Sequence, residues 1–230
     1  PNGQGLSARH IIAEADASLK RLQTDYIDLY QMHHIDRNAW WNEIWEAMDQ
    51  LKSEGKILYV GSSNFAGWHI ARANEIASKW HTVGLATEQS VYNLTKRTIE
   101  LEVIPAIREY GMGLIPYSPL AGGLLAGALK KVNEGRRSTE YMQDEIEKNQ
   151  ERLERWEKIC ADLGERPADV ALAWLLRQPA VTAPIIGPRT EEQLEGSIRA
   201  LDVRLDDDVL RSLDEVFPGP GGPAPEAYAW

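Results

Sequence analysis

Cysteine is almost missing from this chain: Cys160 is the single one in 230 residues. That excludes an internal disulfide and any cysteine-rich metal site, and it makes a reduced, intracellular (cytoplasmic) protein the default expectation. Nowhere do apolar residues run to the ~18 needed to cross a bilayer, so no membrane partner is expected. The opening residues, PNGQGLSARH, carry neither a leader pattern nor an initiator Met. Basic residues are in the minority, 25 Lys and Arg against 35 Asp and Glu, for a net charge of −10 and a pI of about 5.1. Such a balance argues against a nucleic-acid surface while leaving room for a local cationic pocket. No Gly-x-Gly-x-x-Gly follows any candidate strand, which speaks against a Rossmann dinucleotide domain.

What is present is enough apolar material, 43%, for a real core, and enough length for one large α/β domain or two small ones. The chain is organised around Thr24–Asp36, TDYIDLYQMHHID, where β-formers run into two histidines and an aspartate. Apolar residues on both parities imply a strand covered on both faces, as in a parallel sheet flanked by helices. Ser7 is positioned to cap a preceding helix through Leu22, with Ile11, Ile12, Ala15 and Leu19 at helical spacing. Helices are predicted at Asn42–Glu54, through Ile70–Lys79, at Glu100–Tyr110, Glu151–Leu163, Pro167–Arg177, Thr190–Ala200 and Asp206–Phe217. Strands are predicted at Tyr26–Met32, Ile57–Val60, Leu85–Gln89, Gly113–Tyr117 and Thr182–Ile186. The polar stretch Ala126–Gln150, which includes Arg136 and Arg137, reads as a mobile insertion. The tail from Pro218 is Pro/Gly-rich and reads as extended.

Strand midpoints near Asp28, Leu58, Thr87 and Ile115 recur at roughly 30 residues, the length of one strand–helix unit. Each strand exits into polar residues: His33–His34–Asp36, Ser62–Ser63–Asn64, Glu88–Gln89, Tyr117–Ser118 and Gly187–Arg189. Polar groups at the C-terminal ends of parallel strands lie where α/β folds place their chemistry. Asp36 also suits a turn or helix cap, Asn64 a helix cap, and T-E-E-Q at Thr190–Gln193 a capping box.

Five ordered blocks, DYIDLYQMHHID, GKILYVGSSNF, EQSVYNL, PYSPLAGGLL and IIGPRTEEQLEGS, resemble the aldo-keto reductase superfamily over about Leu6 to Phe217. The resemblance implies a (β/α)8 TIM barrel, here with about five of its eight strands over residues 1–217, and a tail at 218–230. It implies NADP(H)-dependent reduction of an aldehyde or ketone without metal, a small-molecule carbonyl substrate, and a possible homo-oligomer. His33 aligns with the active-site histidine that hydrogen-bonds the carbonyl, where an N–H donor stabilises a developing alkoxide. Parity leaves open whether His33 or His34 faces inward, and the resemblance selects His33. Ser63, Asn64 and Gln89 match the groups that bind the nicotinamide carboxamide, which needs both donors and acceptors. Tyr117 matches the aromatic that stacks on the nicotinamide. Ser118, Pro119, Leu120, Gly122 and Leu124 match the loop along the pyrophosphate, with Gly122–Gly123 allowing close backbone approach. Gly187, Arg189, Gln193 and Ser197 match the segment that receives the adenosine end, where Arg189 can pair with a 2′-phosphate and so favours NADP over NAD.

Two departures stand out. Where the family carries a Glu/Asp–Asn pair that holds the adenine, this chain has Gly196 and Ser197, and a weaker adenine grip is expected. The family's Asp, its proton-donating Tyr and the Lys that tunes it have no counterpart here, so about the first third of the polypeptide is expected to be absent from this sequence. The intact parent is read as an enzyme and these residues alone as inactive. The alternatives are a nicotinamide-binding regulatory subunit, as found attached to ion channels, and an inactive barrel fragment. Trp40, Trp41 and Trp230 suit either pocket walls or packing.

Overall fold

Ile11, Ala15 and Leu19 come round once per turn and are the buried side of α1 (Ala8–Leu22). The computed structural model describes residues 3–130 and 139–228. Ser7 stands at the N-cap in an extended conformation, yet its side chain makes no capping bond. Glu43 Oε1 accepts the Ala8 N–H instead, at 2.9 Å, so a carboxylate from the next helix satisfies one of the orphan donors of the first turn.

The chain forms two compact units: residues 1–90 with 102–114, and residues 91–101 with 115–230. In the first, strands and helices alternate as β1 (Ile27–Met32), α2 (Trp41–Ser53), β2 (Ile57–Ser63), α3 (Gly67–Lys79), β3 (Leu85–Gln89), α4 (Val103–Glu109) and β4 (Gly113–Leu114). All three pairings are parallel, in the order β1-β2-β3-β4. Met32, Ser62, Glu88 and Leu114 face one another in register and all are buried. α2 turns Ile44, Trp45, Met48 and Leu51 into the core, and Trp45 Nε1 donates to the Ala73 carbonyl of α3 at 3.0 Å. Pro105 is the third residue of α4, within the turn whose N–H groups have no intrahelical partner, which is why the helix tolerates it.

The second unit is helical: α5 (Glu140–Lys148), α6 (Gln150–Asp162), α7 (Pro167–Leu176), α8 (Glu191–Arg199) and α9 (Asp207–Val216). Trp156 meets Phe217 edge-on at 5.8 Å, and Tyr92 meets Trp174 at 5.3 Å. Arg97 lies over Trp174 and bonds Glu100, Asp214 and the Phe217 carbonyl. Asp206 caps α9 by accepting the Val209 N–H at 2.9 Å.

Several expectations are corrected. Among the described residues the sheet has four strands, not five. Residues 182–186 are irregular: Ile185 donates to the Pro116 carbonyl at 2.8 Å, but Pro184 has no N–H with which to extend a ladder. Pro116 cuts the fourth strand short in the same way, leaving Gly113–Leu114 and an isolated bridge between Val91 and Tyr117. The expected mobile insertion contains α5, whose Met142 and Ile146 are buried and whose Thr139 hydroxyl caps Met142 N. Arg136 and Arg137 lie outside the described residues. The tail is not simply extended: Ala224 N–H donates to the Leu101 carbonyl at 2.9 Å, and Glu226–Tyr228 close a 3-10 turn.

Candidate cofactor-binding site

In the first unit the end of β2 and the end of β3 are locked together. Ser63 pairs with Gln89 in register, Asn64 N–H donates to the Gln89 carbonyl at 3.0 Å, and Asn64 Nδ2 donates to Ser63 Oγ at 3.1 Å. Three expected carboxamide ligands are thus adjacent. Asn64 adopts a left-handed backbone, φ 56°, a conformation Asn tolerates better than most residues. It does not cap α3, whose N-cap is Ala66.

Glu88 is the residue that sequence reasoning undervalued at this end. Its carboxylate is fully buried and accepts from Ser62 Oγ, from Ser90 Oγ at 2.6 Å and from the Phe65 N–H at 3.1 Å. Burial pushes its pKa up, and the bonds from Ser62, Ser90 and the backbone pull it back. The consequence is mechanical: one buried acceptor ties the turn carrying Ser63 and Asn64 to the strand carrying Gln89. Its trace in the sequence was an acid at the end of a predicted strand, next to Gln89; the partners that hold it come from packing.

His33 follows β1, exposed, with its ring 4.2 Å from that of His34. Asp36 acts as a turn cap, accepting the Leu6 N–H at 3.0 Å and the Asn38 N–H at 2.9 Å; these bonds hold its carboxyl below the usual range. Trp40 and Trp41 line a smaller cleft of about 410 Å3 with Trp68, Arg37 and Arg72. Trp41 also packs edge-on against Phe65. Trp230 lies outside the described residues.

The second unit contains a cleft of about 930 Å3. One wall is the loop with Ser118, Pro119, Leu120 and Gly122; another carries Gly187, Arg189, Gln193 and Ser197. Two segments more than sixty residues apart in sequence therefore meet in one concavity. Leu124 is buried and outside its lining, and Tyr117 is half-buried beside Val91.

The loop is a run of left-handed residues: Ser118 (φ 53°), Ala121 (50°), Gly122 (69°) and Gly123 (110°). Ser118 and Ala121 are the costly members, since a Cβ disfavours that region. Asn93 holds the loop in place. It is buried, donates to the Ser118 carbonyl at 2.9 Å, and accepts from Thr95 N and Oγ1 at 2.9 and 2.8 Å. It went unassigned in the sequence because its partner is a main-chain atom 25 residues away.

At the start of α8, Thr190 Oγ1 accepts the Gln193 N–H at 3.3 Å. Gln193 Oε1 reaches past the cap to the Arg189 N–H, at 2.7 Å, so the capping box is displaced by one residue. Ser197 Oγ donates to the Gln193 carbonyl at 2.8 Å. Below them Asp169, fully buried, binds Arg166 through Nε at 2.9 Å and Nη2 at 3.2 Å, and Arg199 through Nη2 at 2.6 Å. No motif announced this triad; an acid three residues after an arginine in an otherwise apolar helix was its trace. Among the described residues no group of His, Cys, Asp and Glu could hold a metal ion, and no helix is long and apolar enough to cross a membrane.

Comparison with known proteins follows the same lines. The family model described as Aldo/keto reductase family matches residues 1–217. The chain is 54% identical over 227 residues to the uncharacterized oxidoreductase YrpG of Bacillus subtilis, covering 99% of this chain and 69% of the relative. It is 33% identical to a putative voltage-gated potassium channel subunit beta of Schizosaccharomyces pombe, covering 94% of this chain and 67% of the relative. It is also 33% identical to the versiconal hemiacetal acetate reductase of Aspergillus parasiticus, with 94% and 64% covered.

Proposed function

The chain belongs to the aldo/keto reductase family, and from that premise we propose that it carries the cofactor-binding side of an NADPH-dependent carbonyl reductase built on a (β/α)8 barrel. The observation that carries the reading is the 930 Å3 cleft, which gathers a glycine-bearing loop and the Arg189–Ser197 segment. Its chemistry fits a dinucleotide phosphate: left-handed glycines let backbone N–H groups come close to anionic oxygens, and the guanidinium groups of Arg189 and Arg166 add cationic donors. When bound, the reduced nicotinamide supplies a hydride.

The remaining roles fall to this chain's own side chains. In the first unit, Ser63, Asn64 and Gln89 offer hydroxyl and amide groups to a carboxamide, with their geometry fixed by Glu88. His33 offers an N–H to the substrate carbonyl and stabilises the oxygen as negative charge develops on it. Tyr117 offers an aromatic face to the nicotinamide. Reduction also needs a proton from an acid tuned near neutral pH. The tyrosine–lysine pair that serves the family is not among these residues, so turnover by the 230 residues alone is expected to be negligible. The activity is proposed for the full-length polypeptide, working in the cytoplasm on a small carbonyl compound.

Fluorescence titration with NADPH, alongside turnover of a panel of aldehydes and ketones, tests the reading. Saturable binding with turnover by the full-length enzyme is the expected result. Binding without turnover points to the regulatory alternative, and absence of NADPH binding by the full-length enzyme overturns the proposal.

A further inference from the structure

The smaller cleft of the first unit stands apart from the nicotinamide end: neither His33 nor Ser63, Asn64 or Gln89 lines it. Its volume of about 410 Å3 falls within the span of small-molecule sites, roughly 300–1,000 Å3. The chain carries a net charge of −10, yet this cleft brings together two guanidinium groups, Arg37 and Arg72. Among the described residues neither guanidinium has a hydrogen-bond or ion-pair partner. The one carboxylate in the lining, Asp36, is already engaged by the Leu6 and Asn38 N–H groups. Two indoles of the same lining stand in solvent, Trp40 at 78% and Trp68 at 54% exposure. Large apolar groups left uncovered side by side mark a surface that a ligand can cover.

His69 is the second observation. Its Nδ1 accepts the Ala66 N–H at 3.3 Å, so the ring's own proton belongs on Nε2. The residue lines the cleft, is 3% exposed, and its Nε2 has no hydrogen-bond partner. A buried donor without an acceptor costs free energy that a ligand oxygen would recover. Burial, and after it the charges of Arg37 and Arg72, push its pKa down, which keeps the ring a neutral donor beside two cations. Trp68 lies over it, with ring centres 3.6 Å apart.

We propose that this cleft is a second ligand site and that it takes a small aromatic carboxylate. The carboxylate lies against Arg37 and Arg72, whose planar forks match two oxygens at once. The aromatic ring covers the indoles of Trp40 and Trp68. Trp68 turns aside as the ligand enters, and the Nε2–H of His69 completes the set of donors. The inference does not depend on what occupies the large cleft of the second unit.

Calorimetric titration of the full-length polypeptide with 2-naphthoate, with the neutral 2-naphthalenemethanol and with inorganic phosphate tests this. Naphthoate is expected to bind at least about tenfold more tightly than either of the others. Arg37→Gln and Arg72→Gln should each weaken naphthoate at least about fivefold while changing the alcohol less than about twofold. His69→Asn retains an acceptor for the Ala66 N–H but lacks Nε2, and should weaken naphthoate as well. Thermal melting of each variant confirms folding; should His69→Asn fail to fold, the two exposed arginines decide the matter. NADPH titration should be unchanged in all three variants, which separates this site from the cofactor's. Unaltered naphthoate affinity in both arginine variants overturns the inference. So does equal affinity for the acid and the alcohol, phosphate binding as tight as naphthoate, or no naphthoate binding by the wild type.

Discussion

Asp36 illustrates how a single side chain can serve structure at a place where chemistry is also expected. Two backbone N–H groups, from Leu6 and Asn38, stabilise its ionised form, and its pKa is lowered. A carboxyl whose folded value is depressed contributes stability that is present above its unfolded value, about 3.9. That contribution is lost as pH falls through the folded value. Asp36→Asn should therefore flatten the acid limb of the stability profile below about pH 4, measured by denaturant melts from pH 2 to 7; an unchanged limb would refute the assignment. Glu88 has the opposite sign: burial raises its pKa, so its ionisation opposes folding, and its role is to hold geometry, not to add net stability at neutral pH.

At the scale of elements, loops carry the candidate site and buried polar residues determine their shape. The segment Ser118–Gly123 contains four residues with positive φ, and strain of that kind persists only where surroundings enforce it. Asn93 is the enforcing group. Asn93→Ala removes the bond to the Ser118 carbonyl and two bonds from Thr95. Stability should fall by about 1–3 kcal/mol, with faster amide exchange confined to residues 118–126. Uniform acceleration across the chain would show a general packing defect instead. α8 follows the same logic, since Thr190 and Gln193 fix its first turn through the N–H groups of 193 and 189.

At the scale of the molecule, each unit has its own core: a four-stranded parallel sheet covered by helices in one, a cluster around Trp156, Trp174 and Phe217 in the other. Cys160 sits in the second core, fully buried. Burial pushes its thiol up to about 12, with a smaller contribution from Glu157. A thiol so placed reports unfolding. At pH 8 it should react with an aromatic disulfide reagent at least about a thousandfold more slowly than a free thiol, and one equivalent should be released in denaturant. Rapid reaction of the native chain would mean that α6 opens locally.

The sequence by itself determined the family and most of the elements, because both are written in short-range patterns. Helical spacing of Ile11, Ala15 and Leu19, β-rich runs at 26–32, 57–60 and 85–89, and five ordered motifs need no long-range information to be read. It also identified the residues of the two clusters, Ser63–Asn64–Gln89 and the walls of the large cleft. It misplaced a fifth strand because apolar composition at 182–186 does not reveal that the ladder bonds it needs are denied by Pro184. Only the tertiary structure decided which polar groups are spoken for. Glu88, Asn93 and the Arg166–Asp169–Arg199 triad depend on partners 23 to 30 residues away, and such pairings arise from chain packing, which no local pattern encodes.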